Sequence, residues 1–426
     1  MFHPRSRCRA SPAERSCPWA RRGSCCVRDR RDGQIATLLG LGFLGLYVVT
    51  LCPTVYLGDS GEICTAIASG GVVHPPGYPL FSLLGRLAVL FLPWGEPAFR
   101  IGCITAAAAA LAVSFLFRCA RELNAPRWLA VLGAAYLGTG FTFWSQSVRV
   151  EVYSLHLCLA LFTLWCALRF RRTSDPEQLR AMALGLSLGL AHHLTIVLLI
   201  PALILLCWSP WRRMPQPARL LARAAPLLLF GPLLYGLLLR WAQQEPLQSW
   251  GHPVTLPLLW SHASARLYQG VFLRIPDGEQ WRSGTAAGLA AVLDLFPPPL
   301  LAAALAGFLV QGRRDRTAAL ALSLTLLAVT AYNLCYRISD IAPYYLLVHA
   351  VLALGLIAAA GWVRDRVAVL RTPHPALRLA LLLPIAWMAA RNWTACDLSR
   401  ATWVREFARQ KLESSGPDAV LITQGD

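Results

Sequence analysis

The chain has 426 residues, of which 56% are hydrophobic and only 15% charged, and its formal net charge is +18. Soluble domains carry roughly 25% charged residues, so a single core wrapped in a water-facing surface is excluded. Many segments hold close to ~20 apolar residues, enough to cross a bilayer at about 1.5 Å per residue. The expected class is an all-α polytopic membrane protein. In such a chain the arginines are a topology signal before they are a nucleic-acid footprint, and no nucleic-acid partner is expected. The thirteen cysteines form no CxxC pair and show no Cys/His ligand spacing, which argues against a disulfide or zinc framework.

In chain order, residues 1–33 are arginine-rich and lack the apolar core of a signal peptide, so they are expected to form a cytosolic tail. A first span is expected over 34–52, ended by Pro53. A polar loop follows within 53–79. The apolar run 80–92 reaches only ~20 Å, too short to span, and should lie on the membrane surface or pack within the bundle. Further spans are expected over 99–117, 128–144 and 150–168. Two half-spans, 180–191 and 194–208, should meet at His192-His193. Spans over 224–242, 285–310, 317–335, 343–362 and 376–390 complete eleven crossings in one bundle, 34–390, before a tail over 391–426. With the N-terminus inside, 27 of the 40 basic residues fall in inside segments, the bias that the positive-inside rule predicts. The expected orientation is N-in, C-out.

That orientation places the chemistry-bearing residues on one outer face. The stretch Tyr56–Pro79, YLGDSGEICTAIASGGVVHPPGYP, holds Asp59, Glu62 and His74 beside Gly70-Gly71 and a proline-rich run. A carboxylate on a rigid loop at the water–lipid boundary suits a general base acting on an acceptor hydroxyl. Asp59-Ser60-Gly61-Glu62 equally fits a helix N-cap with a capping box closed by Glu62, and the two roles are compatible. Glu151 lies at a span boundary between Arg149 and Tyr153, where it is either a local ion pair or, if set into the bundle, a functional acid. His192 and His193 mark the break between half-spans, as an interfacial turn or as part of a site. Arg266 and Arg337 are the outer arginines best suited to clamp a phosphate, because guanidinium binds its oxygens bidentately. Asp340 and Tyr344 stand beside Arg337 in Tyr336–Tyr345. His74 fits a role in fixing the loop or in holding substrate.

The motifs DSGE, HPPGYPLF, EVYSLH, GLAHHLT, SWGHP and YRISDIAPYY resemble the GT-C superfamily of polytopic glycosyltransferases. The likeness is to the branch that includes a eukaryotic protein O-mannosyltransferase, and it runs from about Leu38 to the C-terminus. It implies a GT-C bundle whose first external loop holds the catalytic carboxylate, here Asp59 with Glu62 beside it, and it matches Glu151 to an acid of the second external loop. Gly102 and His252 depart from the branch, which usually has Asn at the first position and an acid or amide at the second. The tail 391–426 stands where relatives continue into an external soluble region, so the chain is expected either to be truncated there or to work without that region.

The resemblance implies a polyprenyl-phosphate sugar donor, with mannose favoured, and an exported protein or envelope glycan as acceptor, in the lipid bilayer. The expected reaction is an inverting transfer with Asp59 as base. Arginine offsets the phosphate charge; a divalent metal is left open and no metal ligand is assigned. Two other readings are a transporter or flippase of a lipid-linked or anionic substrate, with polar groups near the midplane, and a non-catalytic bundle that only binds.

Overall fold

The structure, a computed structural model, describes residues 22–272, 277–336, 338, 340–371, 374, 380, 382–416 and 419–420. The first half is built from α1 (Arg22–Val49), α2 (Ser60–Ala68), α3 (Pro79–Phe91), α4 (Pro97–Glu122), α5 (Arg127–Gly138), α6 (Phe141–Ser147), α7 (Tyr153–Thr173) and α8 (Pro176–Leu190). A 3-10 turn, Leu194–Leu199, leads into α9 (Ile200–Arg212), α10 (Pro217–Ala224), α11 (Leu227–Ala242) and α12 (Leu256–Ala263). After a second 3-10 turn, Arg266–Tyr268, come α13 (Gln269–Phe272), α14 (Gly278–Leu295), α15 (Pro298–Arg314) and α16 (Arg316–Cys335). A third such turn, Ala342–Tyr345, precedes α17 (Leu346–Arg366), α18 (Ala368–Arg371), α19 (Leu383–Cys396) and α20 (Trp403–Ser414). The fold is all-α; among the described residues one parallel bridge, Val72 to Ser249, lies outside the helices.

Helix starts follow sequence chemistry. Proline opens α3, α4, α8 and α10, where its missing N–H costs nothing. Asp277 and Gln280 close a capping box on α14, and Asp315 accepts from Ala318 N to cap α16. Among the described residues, seven segments are long and apolar enough to cross a membrane: Asp29–Val49, Pro97–Glu122, Tyr153–Thr173, Leu194–Arg212, Pro217–Ala242, Arg316–Cys335 and Ala342–Arg366. The bent pair α14–α15 makes up to eight if it counts as one.

Several boundaries differ from those expected. α1 begins at Arg22, well inside the expected tail, and its Asp29 and Asp32 bind arginines of other helices. The expected span 128–144 is two helices, α5 and α6, parted at Gly140. The expected span 285–310 is also two, meeting at 90° where the Pro297-Pro298-Pro299 run cannot continue a helix. α5 and α8 are too short to pass as spans; of 376–390, residues 376–379 and 381 lie outside the described residues and 383–390 begin the 14-residue α19.

The core centres on α4, which packs against α1, α3, α5 and α7 through an alanine-rich surface including Ala106, Ala109 and Ala112. Small residues let membrane helices approach closely. α15 and α17 carry this furthest: a Cβ on Gly307 would lie 1.8 Å from the Gly355 carbonyl oxygen. A network of arginine–acid ion pairs gathers at one end of the bundle. There Asp32 holds Arg121 and Arg127 at 2.9 and 2.6 Å, Asp29 and Glu122 hold Arg169 and Arg172, and Asp315 and Asp365 hold Arg171 and Arg314. The loops bearing Asp59, Glu151, His192-His193 and Ser249-Trp250 lie at the other ends of these helices.

Candidate active site

Asp59 stands at the start of α2 with φ −68° and ψ −7°, already helical rather than in the extended geometry of a capping residue. Its side chain makes no capping bond, so the expected capping box does not form. Glu62 turns instead to His74. One carboxylate oxygen accepts from the His74 backbone N–H at 3.0 Å and the other lies 2.8 Å from Nδ1. The far ring nitrogen of His74, Nε2, lies 3.2 Å from the Tyr78 hydroxyl and 3.8 Å from Asp59 Oδ2. Glu62 therefore aims the imidazole at Asp59, whose own side chain is 44% exposed. Both expected loop acids and the loop histidine are brought together.

A second loop clamps the first. Val72 N donates to Gln248 O at 3.1 Å and Trp250 N to Val72 O at 3.0 Å, which places the Trp250 ring 6.3 Å from His74. Buried His262 donates through Nε2 to Val73 O at 3.0 Å. Burial pushes its imidazole down to about 4, so it is a neutral structural donor. Gly71 makes the contact possible, because a Cβ there would lie 1.6 Å from Gln248 O. Arg86 reinforces it, donating to Gly71 O at 2.6 Å while stacking 3.6 Å over the Trp241 ring.

Glu151 lies directly behind the Asp59 loop. Gly58, at φ +75°, turns the chain so closely over it that a Cβ would meet Glu151 Oε1 at 3.3 Å. Arg149 Nε is 3.7 Å from the same oxygen, while Oε2 is buried with no hydrogen-bond partner among the described residues. Burial pushes the carboxyl up to about 8 against the pull of Arg149, and the Asp59 and Asp340 charges push the same way. Burial thus favours its neutral, protonated form.

The helix break at His192-His193 forms, and it holds this acid in place. His192 is fully buried and donates through Nε2 to Val152 O at 2.7 Å, next to Glu151. Its ring also packs on Tyr78 at 5.9 Å. His193 Nδ1 is 2.7 Å from the Thr195 hydroxyl, which lies 3.2 Å from His156 Nε2. Burial holds both His192 and His193 below the ordinary imidazole range, His192 at about 4. Tyr344 joins through ring contacts with His193 at 5.6 Å and Tyr153 at 5.3 Å.

The remaining expected residues are less engaged. Arg266 is exposed on its 3-10 turn and pairs with no acid among the described residues. Asp340 is exposed and acts on Glu151 by charge alone. Arg337 lies outside the described residues. Sequence reasoning assigned no role to Tyr78, Tyr153, His156 and His262. The first three sit in motifs and His262 on the outer loop, but only the tertiary contacts show what each holds. Among the described residues no three His, Cys, Asp or Glu side chains converge as a metal ligand set.

Residues 59–214 match the Protein O-mannosyl-transferase TMEM260 N-terminal domain. The mouse Protein O-mannosyl-transferase TMEM260 is 27% identical over 98% of this chain and 61% of its own length. The chain thus spans about three fifths of that relative. In structure the chain is similar to Cupriavidus metallidurans ArnT, solved bound to undecaprenyl phosphate, with TM-score 0.52 and 16% identity over 83% of this chain and 63% of that one. It is also similar to the Archaeoglobus fulgidus oligosaccharyltransferase, with TM-score 0.52 and 14% identity over 91% of this chain and 58% of that one. In sequence, then, the chain is similar to protein O-mannosyl-transferases of the TMEM260 kind, and in fold it is similar to ArnT and the oligosaccharyltransferase.

Proposed function

We propose that this chain is a membrane glycosyltransferase that moves a sugar, mannose in the favoured case, from a polyprenyl-phosphate donor to a hydroxyl of an exported protein or envelope glycan. The observation that carries this reading is the Asp59 carboxylate, accessible and aimed by the Glu62–His74 pair, in front of the buried acid Glu151. Asp59 takes the proton of the acceptor hydroxyl. The freed oxygen pair bonds to the anomeric carbon, the bond from that carbon to the phosphate oxygen breaks, and the lipid phosphate leaves with its electrons. Attack opposite the leaving group inverts the anomeric centre. An anionic donor must approach a cluster of acids, and Glu151 held protonated removes one of the opposing charges.

The same reading puts the N-terminus in the cytoplasm, the site on the extracytoplasmic face, and the donor lipid in the leaflet beside it. Polar side chains gathered at one end of the helices favour a transferase over a transporter, whose substrate path would lie near the midplane. The test is to incubate the purified full chain with labelled polyprenyl-phosphate mannose, a matching glucose donor, and a serine/threonine-rich peptide. Label should pass to the peptide. Folded protein that neither transfers nor hydrolyses any lipid-phosphate sugar would refute the proposal.

A further inference from the structure

The charged end opposite the site contains a corner that carries four arginines and no acid. Most arginines described above at that end are matched by acids, as are Arg180 by Glu177 and Arg364 by Asp365. The turn from α9 into α10 carries Arg212, Arg213, Arg219 and Arg223, all exposed, and among the described residues none forms an ion pair. No aspartate or glutamate occurs anywhere between Glu177 and Glu245. Arg219 reaches only the amide oxygen of Gln216, at 2.9 Å.

The corner also has the form of a bilayer boundary. It joins two apolar spans, Leu194–Arg212 and Pro217–Ala242, so its arginines sit within about a turn of hydrocarbon depth. α10 buries Leu220 and Ala224 and leaves Arg219 and Arg223, one turn apart, on its outer face. Trp208 is 53% exposed, with the Arg212 guanidinium 5.7 Å over its ring, and Trp211 is anchored by donating to Pro217 O at 3.1 Å. Unpaired guanidinium groups beside interfacial tryptophans match a phosphate that carries net negative charge at headgroup depth.

We propose that the α9–α10 corner is a binding site for the headgroup of an anionic phospholipid of the leaflet opposite the candidate active site. Several arginines gripping one phosphate bind it selectively, whereas topology alone asks only for positive charge on that side. The site stands independently of the glycosyl-transfer reading.

Native mass spectrometry of the full chain with titrated phosphatidylglycerol or phosphatidylcholine tests it. Wild type should retain phosphatidylglycerol at least roughly tenfold more tightly than phosphatidylcholine. The quadruple variant Arg212→Gln, Arg213→Gln, Arg219→Gln, Arg223→Gln should lose that preference. The equally exposed pair Arg313→Gln, Arg316→Gln should keep it, and so should wild type in millimolar inorganic phosphate. Melting in phosphatidylcholine nanodiscs shows whether the quadruple variant is folded; if it is not, Arg212→Gln, Arg213→Gln and Arg219→Gln, Arg223→Gln are measured as separate pairs. Equal preference in wild type and corner variants, an equal loss in the control pair, or displacement by inorganic phosphate would each overturn the proposal. The first of these outcomes would leave an acidic protein segment as the corner's partner.

Discussion

Glu62 spends both carboxylate oxygens on His74, and this changes what its substitution should do. As a capping residue, Glu62 would tolerate glutamine almost freely. As the clamp of an imidazole it should not: Glu62→Gln keeps one acceptor but loses a charge-assisted bond, at a cost of about 1–2 kcal/mol. Melting temperature and initial rate measured together on this variant should both fall, and unchanged values would return Glu62 to a passive role. Glu151 makes a prediction in pH. Its carboxyl is raised to about 8 in the fold, so the folded state holds a proton that the unfolded state has lost. Stability should therefore decline as pH rises from about 4.5 through about 8 and flatten above that, other groups aside. Glu151→Gln should remove that decline, by a few kcal/mol at most, and chemical denaturation at a series of pH values reads it directly. Asp59, Glu62 and Glu151 were legible as candidate acids from residue type and position. Their division of labour was not, because Asp-x-x-Glu spacing fits a capping box as well as an acid held beside an imidazole twelve residues on.

At the scale of elements, the site depends on two loops locked together by backbone rather than by a domain interface. Gly71 is the tightest point, with its absent Cβ aimed at the Gln248 carbonyl. Gly71→Ala must push the Ser249-Trp250 segment away from Val72 and free the Trp250 ring from His74. The expected outcome is faster proteolysis within 243–255 and a changed Trp250 environment, read by comparing tryptophan emission with and without Trp250→Phe. A fully protected loop in Gly71→Ala would show that the clamp is dispensable. The break at His192-His193 was legible because two imidazoles interrupt an otherwise apolar run, and the 3-10 turn Leu194–Leu199 follows it. The right angle at Pro297 could have been read from three successive prolines, but composition on both sides favours a continuous span. The early start of α1 was hidden for the opposite reason. Residues before Gln34 are too polar to predict a membrane helix, and the partners of Asp29 and Asp32 lie about ninety or more residues away.

For the whole molecule, apolar content and arginine placement were enough to predict an all-α bundle with Asp59, Glu151 and the His192-His193 pair at one end. Arginine placement also predicts, by the positive-inside rule, that this end faces outward. Single cysteines introduced in 243–255 should react with a membrane-impermeant thiol reagent in intact cells, whereas cysteines in 174–178 should not, in a background lacking the native thiols. The reverse pattern would move the site to the cytoplasmic face and with it the class of acceptor. The central claim is that Asp59 is the base of a sugar transfer, and the exposed, uncapping geometry of its side chain separates this role from structure. Asp59→Asn preserves shape and should change stability by less than about 1 kcal/mol, yet an amide cannot take the acceptor's proton. Initial rates of mannose transfer from labelled polyprenyl-phosphate mannose, measured for wild type and Asp59→Asn in proteins of matched melting temperature and donor affinity, should differ by roughly 100-fold or more. A near-normal rate in Asp59→Asn would contradict the account and leave Glu151 as the candidate base.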